Sequence, residues 1–387
     1  MELKQGYKYT EVGVIPSDWQ VYELNDVLQR IADVDHYMPK TENFGYPYVM
    51  TGDLKERLSD IDFASCKKIS LEYYSKLSKK IKNVKGDILL ARYATVGTVS
   101  YVDIQCEFIV SYSCVTIKPN TSKVLGMYLF NYFKSHIFKN EVRNKVNANI
   151  QDNVGIGDLL KMQIPLPLLP EQTAIANALS DMDTLISQTE KLIEKKKAIK
   201  QGAMHELLKP KEGWVTKKLG DVCEIKKGQL ITDSTRINGS IPVIAGGKSP
   251  AYYHNKANRL GKTITISGSG ASAGYVAFHT QPIFASDCST ISEAKNYRLE
   301  FIFYWLQLNQ FRIYKMQTGG AQPHIHPSDL NPLEFNLPPI EQQNEISDAL
   351  YCADLEISFL ELKLNKLKRQ KQGMMQVLLT GKIRLVS

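Results

Sequence analysis

Three sets of residues in the 387-residue sequence have the types and spacing from which a site could be built. The first is Gly268-Ser269-Gly270-Ala271-Ser272-Ala273-Gly274, glycine-rich enough to cradle a phosphate. It lacks the Gly-Lys-Ser/Thr ending of a P-loop. The strand-like run Tyr275-Val276-Ala277-Phe278 follows where a dinucleotide motif would open a helix. The stretch therefore reads as a β-hairpin loop, whose functional form would bring backbone close to DNA. The second set is His324 and His326, in Gln322-Pro323-His324-Ile325-His326-Pro327. Imidazoles ligate metals, but only Asp329 stands near enough in sequence to complete a set. A polar loop with hydrogen-bonded histidines fits better, and DNA contact competes with it more strongly than metal does. No nucleophile elbow, Ser/His/Asp order, HExxH or paired-acid signature is present, and Asn331-Pro332-Leu333 fails as the Asn/Asp-Pro-Pro-Tyr/Phe motif of an amino-methyltransferase.

The third set is a scatter of basic, amide and aromatic residues. In the first half these are Lys67, Lys68, Lys85, Arg92, Tyr93, Arg143, Lys145, Asn147, Asn149 and Gln151. In the second they are Lys226, Lys227, Lys248, Tyr252, Tyr253, Lys256, Arg259, Ser267, Ser269 and Gln322, with His324 beside them. Arg, Lys, Asn and Gln carry donor and acceptor geometry that reads base edges, while Lys, Ser and Tyr mainly hold phosphates. Each residue alone is equally a solvated surface residue. The group is what points to DNA.

These residues would sit on mainly β segments. Tyr46–Met50, Val84–Arg92, Gly97–Val102, Phe108–Ser111 and Cys114–Ile117 alternate or run apolar as strands do. Leu125–Lys139 has helical spacing, and 143–157 is polar and reads as a loop. The second half repeats the order. Ile241-Pro242-Val243-Ile244 answers Tyr46-Pro47-Tyr48-Val49, Gly261–Ser267 answers Gly86–Leu90, and Glu300–Met316 is its helix. Trp19, Leu24, Asp26 and Val27 recur as Trp214, Leu219, Asp221 and Val222.

The clearest repetition has a period of 171 and no gap from Pro167 to Leu208. Pro167, Gln172, Ile175, Leu179, Asp183 and Ile186 fall on Pro338, Gln343, Ile346, Leu350, Asp354 and Ile357, and Lys200-Gln201-Gly202 on Lys371-Gln372-Gly373. Such self-similarity marks two copies of one unit. Each copy carries a heptad. In the first, the apolar seam is Ile175, Leu179, Met182, Ile186 and Ile193, interrupted by Thr189, Lys196 and Lys200. In the second it is Ile346, Leu350, Ile357, Leu360, Leu364 and Leu367. A helix of about 38 residues is roughly 57 Å long, too long for one small domain to bury. The two copies are therefore expected to pack as an antiparallel pair, with the weak part of the first seam turned toward another protein.

Composition bounds the rest. Hydrophobic residues at 43% and charged residues at 23% suit a globular chain of two domains. There is no run of about 18 apolar residues and no signal-like N-terminus. The six cysteines form no CxxC pair, so a reducing cytoplasm is the simplest setting. The net charge of +8 is concentrated in the helix ends: 190–211 carries +4 and 361–384 carries +6, leaving −2 for the remainder. A DNA-reading surface on the globular parts would be a local patch.

The sequence resembles the specificity subunits of Type I restriction–modification systems. The resemblance rests on the Pro-rich lead with Glu171-Gln172-x-x-Ile175-Ala176 and its second copy, the basic Lys-Gln-Gly-x-Met helix ends, and Leu378-Leu379-Thr380-Gly381-Lys382-Ile383-Arg384. Gly261–Ser267 and Gly274-Tyr275-Val276 add to it. The first copy departs where it reads Lys209-Pro210-Lys211 in place of Thr380-Gly381-Lys382. The resemblance implies two α/β (α+β) target-recognition domains in a pseudo-two-fold arrangement, separated by a long antiparallel two-helix coiled coil. The domains would be 1–168 and 210–339, and the spacer helices 169–209 and 340–387. Each domain would bind one half of a split site on double-stranded DNA. The helices would fix the gap and dock two methyltransferase subunits, which carry S-adenosylmethionine, and restriction/translocase subunits would join that core. The chain itself would bind no cofactor or metal and catalyse nothing. A degenerate or fused adenine methyltransferase, and a coiled-coil scaffold without DNA reading, are the alternatives from other classes.

Overall fold

Ile88–Ala91 is a strand buried along its whole length, as a run of four apolar residues requires. It is the centre of the first half of the computed structural model, which describes residues 5–145, 153–319 and 322–385. Cys114–Pro119 and Val99–Tyr101 pair with it antiparallel on either side, and Leu28–Ala32 extends the sheet beyond Cys114–Pro119. A second sheet has Tyr46–Val49 in the middle, with Lys67–Ile69 antiparallel and Ile109–Val110 parallel to it. A two-stranded ribbon, Gln20–Glu23 with Gln163–Leu166, closes the domain next to its long helix.

The second half repeats this strand for strand. Lys226–Lys227, Cys288–Ser292, Thr263–Ser267 and Val276–His279 form the four-stranded sheet in that order. Tyr252–His254, Ile241–Ile244 and Phe284–Ala285 form the three-stranded one, again with one antiparallel and one parallel pairing. Val215–Lys218 with Glu334–Leu337 is the ribbon. The duplication read from side chains is thus a duplication of topology.

Two helical expectations need correction. The helix predicted over Leu125–Lys139 is two, Gly126–Lys134 and His136–Lys145. Ser135 between them is extended, and its hydroxyl accepts from the Phe138 amide at 3.3 Å, so it ends one helix and starts the next. Arg143 to Lys145 therefore close a helix and do not open the loop predicted there. The second half breaks in the same place, into Leu299–Leu308 and Gln310–Lys315 around Asn309.

The long helices are Leu169–Leu207 and Ile340–Leu378, each 39 residues. The chain divides into two compact units, Met1–Gln188 with Leu364–Ser387, and Thr189–Lys363. Each unit contains one domain, the first part of one helix and the last part of the other. In the first unit Ile175 and Leu179 share a core with Leu378 and Leu379. In the second, Met204 and Leu208 share a core with Ile346 and Leu350. The helices run antiparallel within each unit. The predicted seam positions, including Thr189, Lys196 and Lys200, are all buried or half-buried. Within the chain the two lysines of the weak stretch pair with acids of the other helix, Lys196 with Glu356 at the surface and Lys200 with Asp354 deeper in the seam, both at 2.6 Å.

Candidate nucleic-acid interface and its scaffold

In both units the central strand leads into a hairpin tip that lies against the segment running toward the ribbon. In the first unit Arg92–Gly97 joins Ile88–Ala91 to Val99–Tyr101, and Tyr93 bridges to Asn153. In the second, Gly268–Gly274 joins Thr263–Ser267 to Val276–His279, and Ser269 bridges to His324. The glycine-rich stretch is therefore the hairpin loop expected. Gly274 has φ +84°, and a Cβ there would stand 2.8 Å from Ile325 Cδ1, so this turn admits only glycine. The His324 and His326 rings lie parallel with centroids 6.0 Å apart. Asp329, the acid that could have completed a metal set, accepts instead from the His326 amide at 2.7 Å and caps the short helix Pro327–Leu330.

Several candidate residues are committed inside the fold. Arg92 is only 5% exposed. Its guanidinium donates to Asp33 at 2.6 Å and to the Val154 carbonyl at 3.3 Å. Burial raises the Asp33 pKa, but hydrogen bonds from His36 and Lys80 and the charge of Arg92 outweigh it and hold the carboxyl below its usual range. Arg92 is thus a structural charge, a correction to its place among base readers: its two terminal nitrogens are spent where water does not reach, and its Nε is buried. Arg259 is used the same way, donating to Thr290 Oγ1 at 2.9 Å and to the Asn258 and Lys227 carbonyls at 2.9 and 3.3 Å. Ser267 is buried and donates to the Gly247 carbonyl at 3.3 Å. Ser269 donates to Asp287, Tyr252 to the Ile231 carbonyl and half-buried Lys68 to the Phe63 carbonyl.

The others stay at the surface. Lys67, Lys85 and Arg143 are exposed in the first unit, with Tyr93 and Lys145 half-buried. Lys226, Lys227, Lys248, Tyr253, Lys256 and Gln322 are exposed in the second, with His324 half-buried. Lys226 meets Glu224 at 2.9 Å, and Lys248 lies 5.5 Å from the Tyr275 ring centre. Asn147, Asn149 and Gln151 lie outside the described residues. The first hairpin tip and Arg143 border one cavity of 710 Å³. Lys55, Lys134 and Lys139 line it too and were missed. Lys139 and Arg143 are one helical turn apart, a signal hidden by ending the predicted helix at Lys139.

The repeated motifs, by contrast, hold the domains to the helices. Gln172 and Gln343 are 1% and 2% exposed. Gln172 Oε1 accepts from the Leu125 amide at 2.8 Å, and Gln343 Oε1 from the Arg298 amide at 2.8 Å. Both amides lie at the start of a domain helix, where N–H groups lack partners. The Gln172 Nε2 donates to the Pro167 and Lys123 carbonyls, both at 3.0 Å, and the Gln343 Nε2 to the Pro338 carbonyl at 2.9 Å. Beside them Trp19 donates to Glu171 at 3.0 Å and Trp214 to Gln342 at 2.9 Å. The seam carries one more duplicated pair. Lys371 meets Asp183 in the first unit and Lys200 meets Asp354 in the second, so each helix supplies the lysine to the other's aspartate.

Known proteins are similar to this chain in sequence and in fold. The model of the Type I restriction modification DNA specificity domain matches residues 16–201 and again 211–378. A putative type I restriction enzyme MjaX specificity subunit of Methanocaldococcus jannaschii is 27% identical, over 99% of this chain and 97% of that one. The MjaVIII specificity subunit of the same organism is 24% identical, over 96% and 94%. The crystal structure of a Type I restriction–modification S subunit from M. genitalium has the same fold, with a TM-score of 0.65, 16% identity and 98% of each chain covered. No helix among the described residues is long and apolar enough to cross a membrane. With both matches falling on the two copies of one unit, the chain belongs to the Type I restriction–modification specificity subunits and carries two DNA recognition domains.

Proposed function

We propose that each domain binds one half of a bipartite site on double-stranded DNA, and that the paired long helices set the gap and dock two methyltransferase subunits. One observation carries this reading: a duplicated polar frame, Gln172/Gln343 with Lys371–Asp183/Lys200–Asp354, supports hairpin tips of unlike sequence. Two readers on one frame suit two different short sequences. The chain contributes recognition and no catalysis; S-adenosylmethionine belongs to the methyltransferase subunits. A restriction/translocase subunit joins that core in the cytoplasm.

Methylome sequencing of a host carrying the chain with its methyltransferase partner tests this. The expected result is a methylated motif of two short sequences with a fixed gap. Replacing Gly268–Gly274 should change one half-sequence only, and removing a heptad from a long helix should change only the gap. A loop exchange that leaves the motif intact would assign recognition elsewhere. S-adenosylmethionine bound by the isolated chain would favour a degenerate methyltransferase.

A further inference from the structure

The 710 Å³ cavity of the first unit is built from three separate segments. The hairpin tip Ala94–Val99 forms one wall, Leu54–Glu56 another, and residues of the helices Gly126–Lys134 and His136–Lys145 the third. Four cations line it. Lys55, Lys139 and Arg143 are exposed at the rim, while Lys134 lies deeper, its side chain 13% exposed. Among the described residues the one acid in the lining is Glu56, 2.5 Å from the Lys134 ammonium. The described lining thus holds three more positive than negative groups.

Two further features mark this recess. Lys139 and Arg143 stand at i and i+4 on one helix, where like charges repel. Ala94 takes φ 61°, a left-handed conformation that alanine adopts only where its surroundings impose it. A basic recess with a strained turn and the Thr95 and Thr98 hydroxyls at its edge has the donor set that holds phosphate. The second unit lacks the deep cation. Lys134 stands nine residues after Leu125, whose amide Gln172 caps, and the residue nine after the Gln343-capped Arg298 is Gln307.

We propose that this cavity is a phosphate site of the first unit, in which Lys55, Lys139 and Arg143 hold one phosphodiester of the DNA backbone above Lys134. This rests on the reading of the chain as a DNA reader, and places a register-setting backbone clamp in one of its two domains. Burial and the neighbouring Lys371 press the Lys134 pKa down, while Glu56 and Asp183 press it up. A phosphate in the recess would add to the second group.

The test is the salt dependence of binding of the full-length chain to a random-sequence duplex, followed by fluorescence anisotropy. For the Lys139→Gln, Arg143→Gln double variant, the slope of log affinity against log salt should fall by about one, as for the loss of one neutralised phosphate. Lys55→Gln, on a different segment, should reduce it in the same direction, which separates a lost contact from a damaged helix. Lys217→Gln with Lys218→Gln, on the exposed strand Val215–Lys218, should leave it unchanged. Unchanged slopes in both cavity variants, with the parent binding normally, would overturn the phosphate site and leave DNA reading intact. Weakened methyltransferase association at an unchanged slope would overturn it in favour of an acidic protein partner. A parent chain with no DNA affinity at any salt would overturn both.

Discussion

Gln172 and Gln343 make corresponding bonds 171 residues apart, whereas Lys134 and Gln307, equivalent by position, differ in charge. The comparison extends outward from there. Close to the long helices the two units make corresponding contacts: a buried glutamine on a domain-helix amide, a tryptophan on the residue before it, a lysine crossing to an aspartate. Farther out, the first hairpin tip is Arg92-Tyr93-Ala94-Thr95-Val96-Gly97 beside a basic cavity, and the second is a run of glycine, serine and alanine. Buried polar groups must be satisfied, so they tolerate little change. Exposed loops carry no such constraint and are where the two readers diverge.

A further difference lies at the chain end. Glu171, in the first unit, receives Arg384 at 2.5 and 2.7 Å, and Arg384 also grips Asp18 with two bonds of 2.8 and 2.9 Å. Gly381, at φ +68°, packs where a side chain would strike Pro16, and Tyr7 donates to its carbonyl at 2.9 Å. In the second unit the corresponding residue is the neutral Gln342, and the corresponding stretch, Lys209-Pro210-Lys211, runs on into the next domain. The carboxylate and its arginine thus fasten the segment after Ile340–Leu378 to the lead-in of the first domain.

Breaking the shared frame should cost most. Gln172→Leu strands the Leu125 amide and two carbonyls, and at about 1–3 kcal/mol for each buried orphan a loss of about 4 kcal/mol is expected. Gln343→Leu strands one amide and one carbonyl, so about 3 kcal/mol. Urea unfolding can follow the two units separately, by Trp19 fluorescence in one and by Trp214 and Trp305 in the other. Equal losses in both units would refute the ranking.

The ion pairs come next. Lys371→Met leaves Asp183 unpaired in a half-buried seam and should cost about 3 kcal/mol; adding Asp183→Leu should restore most of it. Lys200→Met should cost less, about 2 kcal/mol, because Asp354 is more exposed and keeps the Tyr304 hydroxyl at 2.8 Å. A double variant no more stable than Lys371→Met would show that the pair does not act as a unit.

Arg384→Ala should have the smallest effect, about 1–2 kcal/mol at neutral pH and confined to the first unit. Its pH dependence sharpens the contrast. The hydrogen bonds from Arg384 hold the Asp18 pKa below its unfolded value. That contribution is fully present above the unfolded pKa, about 3.9, and is lost as pH falls through the folded one. The gap between parent and Arg384→Ala, measured by thermal melting, should therefore narrow below about pH 4. A gap constant down to pH 3 would exclude Asp18 from the effect.

Much of this was legible before any coordinates. The repeat of 171, the seam positions and the buried strand after Gly86 depend on periodicity and local turn chemistry, which a chain displays residue by residue. The break at Ser135 was not legible, because apolar spacing continues through it and a serine hydroxyl decides it. The candidate DNA residues were legible as types and not as positions: Arg92 and Arg259 look like Arg143 in sequence, yet the first two bond to groups inside the fold.

What the sequence determined by itself was therefore the duplication, the pairing of two long helices and the membership of a family of DNA specificity subunits. Each follows from patterns that recur along the chain. Only the tertiary structure decided what the repeated glutamines and lysines do, which basic residues remain at the surface, and that among the described residues four cations share one recess with a single acid. Those outcomes depend on residues from 9 to 188 positions apart meeting in the fold, where the partner and not the residue type sets the role.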